Sequence, residues 1–115
     1  MWNIIFYEKE DGIRPVEKFL DSLPSKHNAK AVHELLLLKE KGVELAMPHV
    51  RHIDGKLWEL RIKFSNDISR IFYFLPGEDK IILLHGFVKK TQKTPAKEIV
   101  LAKSYLNDYE RRCKK

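Results

Sequence analysis

Between Lys56 and Pro95 the chain carries Arg61, Lys63, Arg70, Lys89, Lys90 and Lys93, with Tyr73 and His85 among them. These are side chains that bind and act on phosphate. A guanidinium stays charged and grips a phosphate through two parallel hydrogen bonds, so Arg61 and Arg70 suit stabilisation of negative charge, and neither can serve as a base. An ammonium crowded by other cations gives up its proton more easily, so Lys63, Lys89 and Lys90 could hold charge or accept a proton. His85 exchanges protons near neutrality, and Tyr73 could stack on a base.

The same stretch contains the elements that must position those groups. It reads KLWELRIKF, SND, ISRIFYFL, PGED, KIILLHGFVKK and TQKTP: three strand-like runs, two turns and a helix start. Alternation sets Trp58, Leu60, Ile62 and Phe64 on one face of the first run, with Leu57, Glu59, Arg61 and Lys63 on the other. Asn66-Asp67 and Pro76-Gly77 are turn chemistry, which predicts an antiparallel meander. Cations from three neighbouring strands then converge on one patch.

Each assignment has a structural counterpart. Arg70 shares its face with Phe72 and Phe74, so the alternative is a buried arginine paired with an acid such as Glu59. Lys89 and Lys90 are adjacent, so a regular strand aims only one of them inward. Tyr73 also suits a core position, and alternation groups His85 with Ile81, Leu83 and Phe87 on an apolar face. His49 and His52 have metal-like spacing but no accompanying cysteine or carboxylate constellation, and His52 is a weaker catalytic candidate in the loop before the strand. His27 and His33 read as surface or packing residues.

Upstream, Trp2 to Tyr7 is an aromatic and β-branched run that reads as a strand, followed by an Asp11-Gly12 turn. Pro15 opens a helix whose Val16, Phe19, Leu20 and Leu23 recur at helical spacing. Pro24 ends it and opens a second helix, which runs through Val32, Leu35, Leu36 and Leu38 to Gly42. The leucines from 35 to 38 form a stripe broad enough to predict burial against both the sheet and the first helix. From 43 to 56 the period is lost and a loop is expected. Thr94-Pro95 supplies an N-cap and first-turn proline for a last helix with Ile99, Ala102, Leu106 and Tyr109 on one side. The order predicts an α+β fold.

A chain of 115 residues with 43% hydrophobic content supports one core, so residues 1–115 are expected to form one domain. The 22 Lys+Arg against 16 Asp+Glu give a net charge of +6, which favours a polyanionic partner over an inert basic surface only when the cations cluster. They do: between Phe87 and Lys97 there are four lysines and no acid. Cys113 is the single cysteine, which excludes an intramolecular disulfide and suits a reducing compartment. No run approaches the ~20 apolar residues of a membrane span, and a cytoplasmic location is expected.

Three motifs stand in compact order: Asp54-Gly55-Lys56-Leu57-Trp58-Glu59-Leu60-Arg61, Ser69-Arg70-Ile71-Phe72-Tyr73-Phe74, and His85-Gly86-Phe87-Val88-Lys89-Lys90-Thr91 with Pro95 beyond. Together they make the chain resemble the RelE/HigB-like toxins of toxin–antitoxin pairs, most nearly the phage-derived HigB-like branch. The resemblance implies a RelE-like fold: an N-terminal strand, two helices, a three-stranded antiparallel meander and a C-terminal helix. It implies an endoribonuclease acting on messenger RNA, in many members at the ribosomal A site, with no metal or cofactor. It also implies neutralisation by a cognate DNA-binding antitoxin. In such a reaction a 2′-hydroxyl attacks the adjacent phosphorus, leaving a 2′,3′-cyclic phosphate and a 5′-hydroxyl. On this reading Arg70 and Lys89 stand nearest the scissile phosphate and His85 exchanges protons, while Arg61, Lys63, Tyr73, Lys90 and Lys93 hold the RNA. Some relatives carry a tyrosine soon after the third-strand cations; here none follows closely, so the resemblance assigns no proton donor. Toxins similar to ParE share the fold and inhibit DNA gyrase without cutting RNA, and a non-cleaving RNA- or ribosome-binding module is the third possibility.

Overall fold

A computed structural model describes residues 2–46, 48–89 and 94–113. The elements in order are β1 (Asn3–Phe6), α1 (Pro15–Ser22), α2 (Ser25–Lys41), a single 3-10 turn at Gly42–Glu44, β2 (Val50–Asp54), β3 (Leu57–Phe64), β4 (Asp67–Gly77), β5 (Lys80–Lys89) and α3 (Ala96–Cys113). They build an α+β fold around one five-stranded sheet, ordered β1-β5-β4-β3-β2. β1 runs parallel to β5, and every other pair is antiparallel.

The meander therefore has four strands rather than three. β2 lies in the stretch expected to be a loop, pairing Val50 with Leu60, Arg51 with Glu59 and His52 with Trp58 before a register shift. Its residues after Val50 are mostly exposed at the sheet edge, so no alternation of apolar and polar residues marks it.

Each face of the sheet has its own apolar cluster. Trp58, Leu60, Ile62, Ile71, Tyr73, Ile81 and Leu83 pack beneath α1 and α2, where Val16, Leu20, Ala31, Leu35 and Leu38 meet them. On the opposite face, Leu57, Phe72, Phe74, Ile82, Leu84 and Phe87 pack with Ala102 and Leu106 of α3. Full burial of such side chains contributes roughly 1.5–3 kcal/mol each. The broad leucine stripe expected on α2 is narrower in the structure: Leu35 and Leu38 are buried, whereas Leu36 is exposed. A 17-residue helix lying on one sheet turns that side to solvent.

Backbone details fix how the layers meet. Gly42 ends α2 with φ +54, and its Cα lies so close to the Trp2 indole that a Cβ would stand 1.9 Å from the ring nitrogen. In β5, Phe72 pairs with His85 but Tyr73 pairs with Leu83, so Leu84 is an extra residue. This bulge shifts the alternation by one position. His85 and Phe87 consequently join the α3 face, not the face of Ile81 and Leu83 as strict alternation implied.

α3 is tied down at both flanks. The Tyr7 hydroxyl donates to Asp108 Oδ2 at 2.6 Å, and Arg112 bonds the same carboxylate oxygen at 2.6 Å. On the other flank Lys56 reaches Glu110 at 2.5 Å, and Lys103 pairs with Asp54. No helix among the described residues is long and apolar enough to cross a membrane.

Candidate functional site

The pairing register decides which cations share a face. Arg61 lies opposite Arg70, and Arg70 opposite Phe87; one step further, Lys63 lies opposite Ile68 and Ile68 opposite Lys89. Arg61, Lys63, Arg70 and Lys89 therefore stand on the α3 face of three adjacent strands, in two neighbouring rows. None belongs to the apolar cluster under the helix. Lys63 is exposed, and Arg61 and Lys89 are partly exposed.

Arg70 differs from the others. Its side chain and that of Glu59 are both 0% exposed, with Arg70 Nη1 2.6 Å from Glu59 Oε1. The Thr94 hydroxyl donates to the second carboxylate oxygen at 2.8 Å. The expectation of an open, phosphate-facing guanidinium is corrected on this point: β4 is central in the sheet, and Thr94 and Glu59 close over its arginine. The Thr94 hydroxyl thus joins the start of α3 to the buried ion pair.

Tyr73 is corrected as well. It is 3% exposed and lies on the α1/α2 face, opposite to the cations, and burial pushes its hydroxyl pKa up. A base could not stack on it without opening the core. His85 is partly buried against α3, with Nε2 2.7 Å from Glu98 Oε1 and its ring stacked near Phe72 and Phe87. It sits on the cations' face, two positions along β5 from Phe87. Lys90 and Lys93 lie outside the described residues.

A second group of polar side chains gathers where β2 stops. β2 pairs with β3 only as far as Val50 and Leu60, after which Arg61 N–H donates to the His49 carbonyl at 2.8 Å. Beyond that bond the outer edge of β3 opens into a pocket of about 190 Å³ lined by Lys30, Glu34, Pro48, His49, Arg61, Lys63 and Ile68. Within it His49 Nδ1 lies 2.9 Å from Glu34 Oε1, and Lys30 Nζ lies 3.6 Å from Glu34 Oε2. Glu34 is 5% exposed and His49 39%. Arg61 Nε is buried without a hydrogen-bond partner among the described residues. Sequence reasoning missed this grouping, although Ala31, Glu34, Leu35 and Leu38 recur at i, i+3, i+4 and i+7. A carboxylate inside a buried stripe was the available signal.

His52 and His27 have separate partners. His52 Nε2 meets the Gly55 carbonyl at 2.7 Å, so His49 and His52 do not converge. His27 is buried, 2.5 Å from the Ser69 hydroxyl and stacked on Phe64, which makes it a packing residue.

No curated protein matches the chain. Residues 18–107, spanning the second half of α1 through most of α3, match the family model described as Phage derived protein Gp49-like (DUF891). That span holds both cation rows, the Arg70–Glu59 pair and the edge pocket, and the chain belongs to this Gp49-like family of phage-derived proteins, within the RelE/HigB-like toxins.

Proposed function

We propose that the chain is the toxin of a type II toxin–antitoxin module, a single-domain, HigB-like endoribonuclease that cleaves messenger RNA in the cytoplasm without a metal. The observation that carries this reading is the alignment of Arg61 and Lys63 on β3 with Lys89 on β5, on one face of the sheet with β4 between them, at the end away from the apolar contacts of α3. Lys63 and Lys89 are separated by two strand spacings, roughly 10 Å, so both can contact the backbone of one RNA strand. Arg70 lies beneath this patch, neutralised by its ion pair with Glu59, and Lys90 and Lys93 follow Lys89 in the sequence. His85 remains a proton carrier at its rim.

The 2′-hydroxyl attack needs in-line positioning and stabilisation of the phosphoryl oxygens, both of which fixed cations supply. A gyrase inhibitor has no evident need for such an array. The family implies an antitoxin partner, and masking of the basic face would neutralise the nuclease.

The test is to incubate the purified chain with programmed ribosomes and with naked RNA and to map the ends. Cyclic phosphate termini are the expected products. Arg61→Ala and Lys63→Ala should each weaken RNA binding about tenfold and reduce the salt slope by about 0.7. Intact message together with trapped gyrase–DNA complexes would overturn the nuclease reading, and RNA bound but uncut would leave a binding module.

A further inference from the structure

We infer that the pocket at the open edge of β3 is a phosphodiester subsite, in which His49, oriented by the buried Glu34 carboxylate, accepts the proton of the attacking 2′-hydroxyl. Its catalytic half rests on the nuclease reading.

The geometry supplies three separate arguments. First, the charge balance favours an anion: Lys30 from α2 and Arg61 and Lys63 from β3 face the pocket against one carboxylate, Glu34, while β4 contributes only the apolar Ile68. Second, Arg61 Nε is a buried donor with no partner among the described residues. Such a group carries a desolvation cost that a phosphate oxygen would offset. Third, His49 and Glu34 are arranged as a proton-transfer pair. The bond at Nδ1 directs the ring so that Nε2 is left as the acceptor, and an exposure of 39% leaves the imidazole accessible.

The volume fits this role. About 190 Å³ lies below the roughly 300 Å³ at which pockets enclose a whole small ligand, so one backbone linkage suits it better than a complete nucleotide. Arg61 and Lys63 belong both to this pocket and to the cation rows, and Ile68 borders Lys89. A strand of RNA following the rows from Lys89 would therefore reach His49.

In the step itself, His49 Nε2 takes the 2′-hydroxyl proton as the 2′-oxygen bonds to phosphorus. The bond from phosphorus to the 5′-oxygen breaks, and that oxygen takes a proton from water. Glu34 touches no reacting atom. It positions the ring and stabilises the imidazolium that forms.

Two measurements separate this inference from the nuclease reading. The first follows the ring nitrogens of His49 and Nε of Arg61 by NMR while the chain is titrated with an RNA tetranucleotide blocked by 2′-deoxy substitution. Both signals should move together and saturate, and Lys63→Ala should weaken that saturation about tenfold. The second records cleavage against pH. His49→Gln should lower kcat/KM about a hundredfold or more and remove the acid limb of the profile. Glu34→Gln, which keeps a hydrogen-bonding group but removes the charge, should lower kcat about tenfold with KM unchanged, because the imidazolium that forms in the transition state loses its counter-charge. A merely structural Glu34 would leave the kcat of the folded variant unchanged.

Signals that stay fixed at saturating tetranucleotide would overturn the pocket assignment. If His49→Gln cuts at the wild-type rate with the limb intact, the His49 role falls and the nuclease reading stands. If the wild type cuts nothing while both signals move, the nuclease reading falls and the phosphodiester pocket stands.

Discussion

Glu59 and Glu34 are both withdrawn from solvent, yet their surroundings make them different kinds of group. Glu59 is sealed between Arg70 and Thr94 in the middle of the sheet, with both members of the ion pair fully buried. Glu34 turns from a helix toward an open edge, and its partners His49 and Lys30 are substantially exposed. A sealed pair has both charges desolvated and can change neither partner nor protonation without opening the core. A carboxylate at a rim keeps one partner within reach of solvent and substrate, and only that arrangement can pass a proton outward. The residue best placed by sequence for chemistry, Arg70, thus fell into the sealed class, whereas His49, which sequence reasoning left aside, fell into the open one.

The largest expected effect breaks the sealed pair. Arg70→Ala leaves the Glu59 carboxylate buried without its principal counter-charge and should destabilise the fold by about 3–5 kcal/mol, read from urea unfolding midpoints. Loss of activity in that variant alone would therefore say little about phosphate binding. The double variant Arg70→Met with Glu59→Leu should recover most of the stability, since apolar groups of similar volume need no desolvation of charge. If the single variant unfolds at the wild-type midpoint, the pair is not the sealed structural unit described. Truncation of His49 should cost no more than about 1 kcal/mol, as for a pair with one solvent-exposed partner.

This contrast also explains which parts of the fold were readable in the chain. Helical periodicity disclosed α1, α2 and α3, and alternation or apolar runs rich in aromatic and β-branched residues disclosed the strands that became β1, β3, β4 and β5. β2 escaped because an edge strand has little to bury. The cation rows were legible from alternation along β3, as Arg61 and Lys63 face the same way. His85 was assigned the wrong face because one extra residue, Leu84, resets the alternation, and a bulge leaves no mark in a pattern of period two. Tyr73 and Arg70 illustrate the remaining gap. The meander already set their strand between two others, and both had a buried alternative in the sequence, but local pattern does not choose between a site role and burial for a side chain on a central strand.

A smaller effect sharpens what sealing means. A Cβ built on Gly86 would stand 2.5 Å from Phe19 Cδ2, so α1 rests directly on the β5 backbone. Gly86→Ala should overpack that contact and cost about 1–3 kcal/mol in unfolding measurements. Combining it with Phe19→Ala should cost less than the sum of the two single changes, because the clash disappears with the ring. Strict additivity would mean that α1 does not bear on Gly86. The open pocket is lined instead by flexible Lys30 and Lys63 side chains, and no comparable penalty applies there.

The mildest prediction concerns a third setting, the part-buried link between Tyr7, just after β1, and α3. The Tyr7 hydrogen bond, assisted by Arg112 and Arg111 and opposed by partial burial, holds the Asp108 carboxyl below the ordinary carboxylate range. Burial and then the Asp108 bond push the Tyr7 hydroxyl up to about 12. The signs follow by linkage. A depressed carboxyl contributes stability above its unfolded pKa, near 3.8, and that contribution is lost as pH falls through the folded value. A raised phenol contributes below its unfolded pKa of 10.0, and that contribution is lost as pH rises toward 12. Asp108→Asn should therefore flatten the acid side of the stability profile. It should only narrow the alkaline side, because burial, the larger cause at Tyr7, survives the substitution. Urea midpoints for both proteins across the two pH ranges check this, and identical profiles would show that the link carries no stability. Unlike the Arg70–Glu59 pair, this one can dissociate in place, since solvent reaches the carboxylate and only the phenol is deeply held.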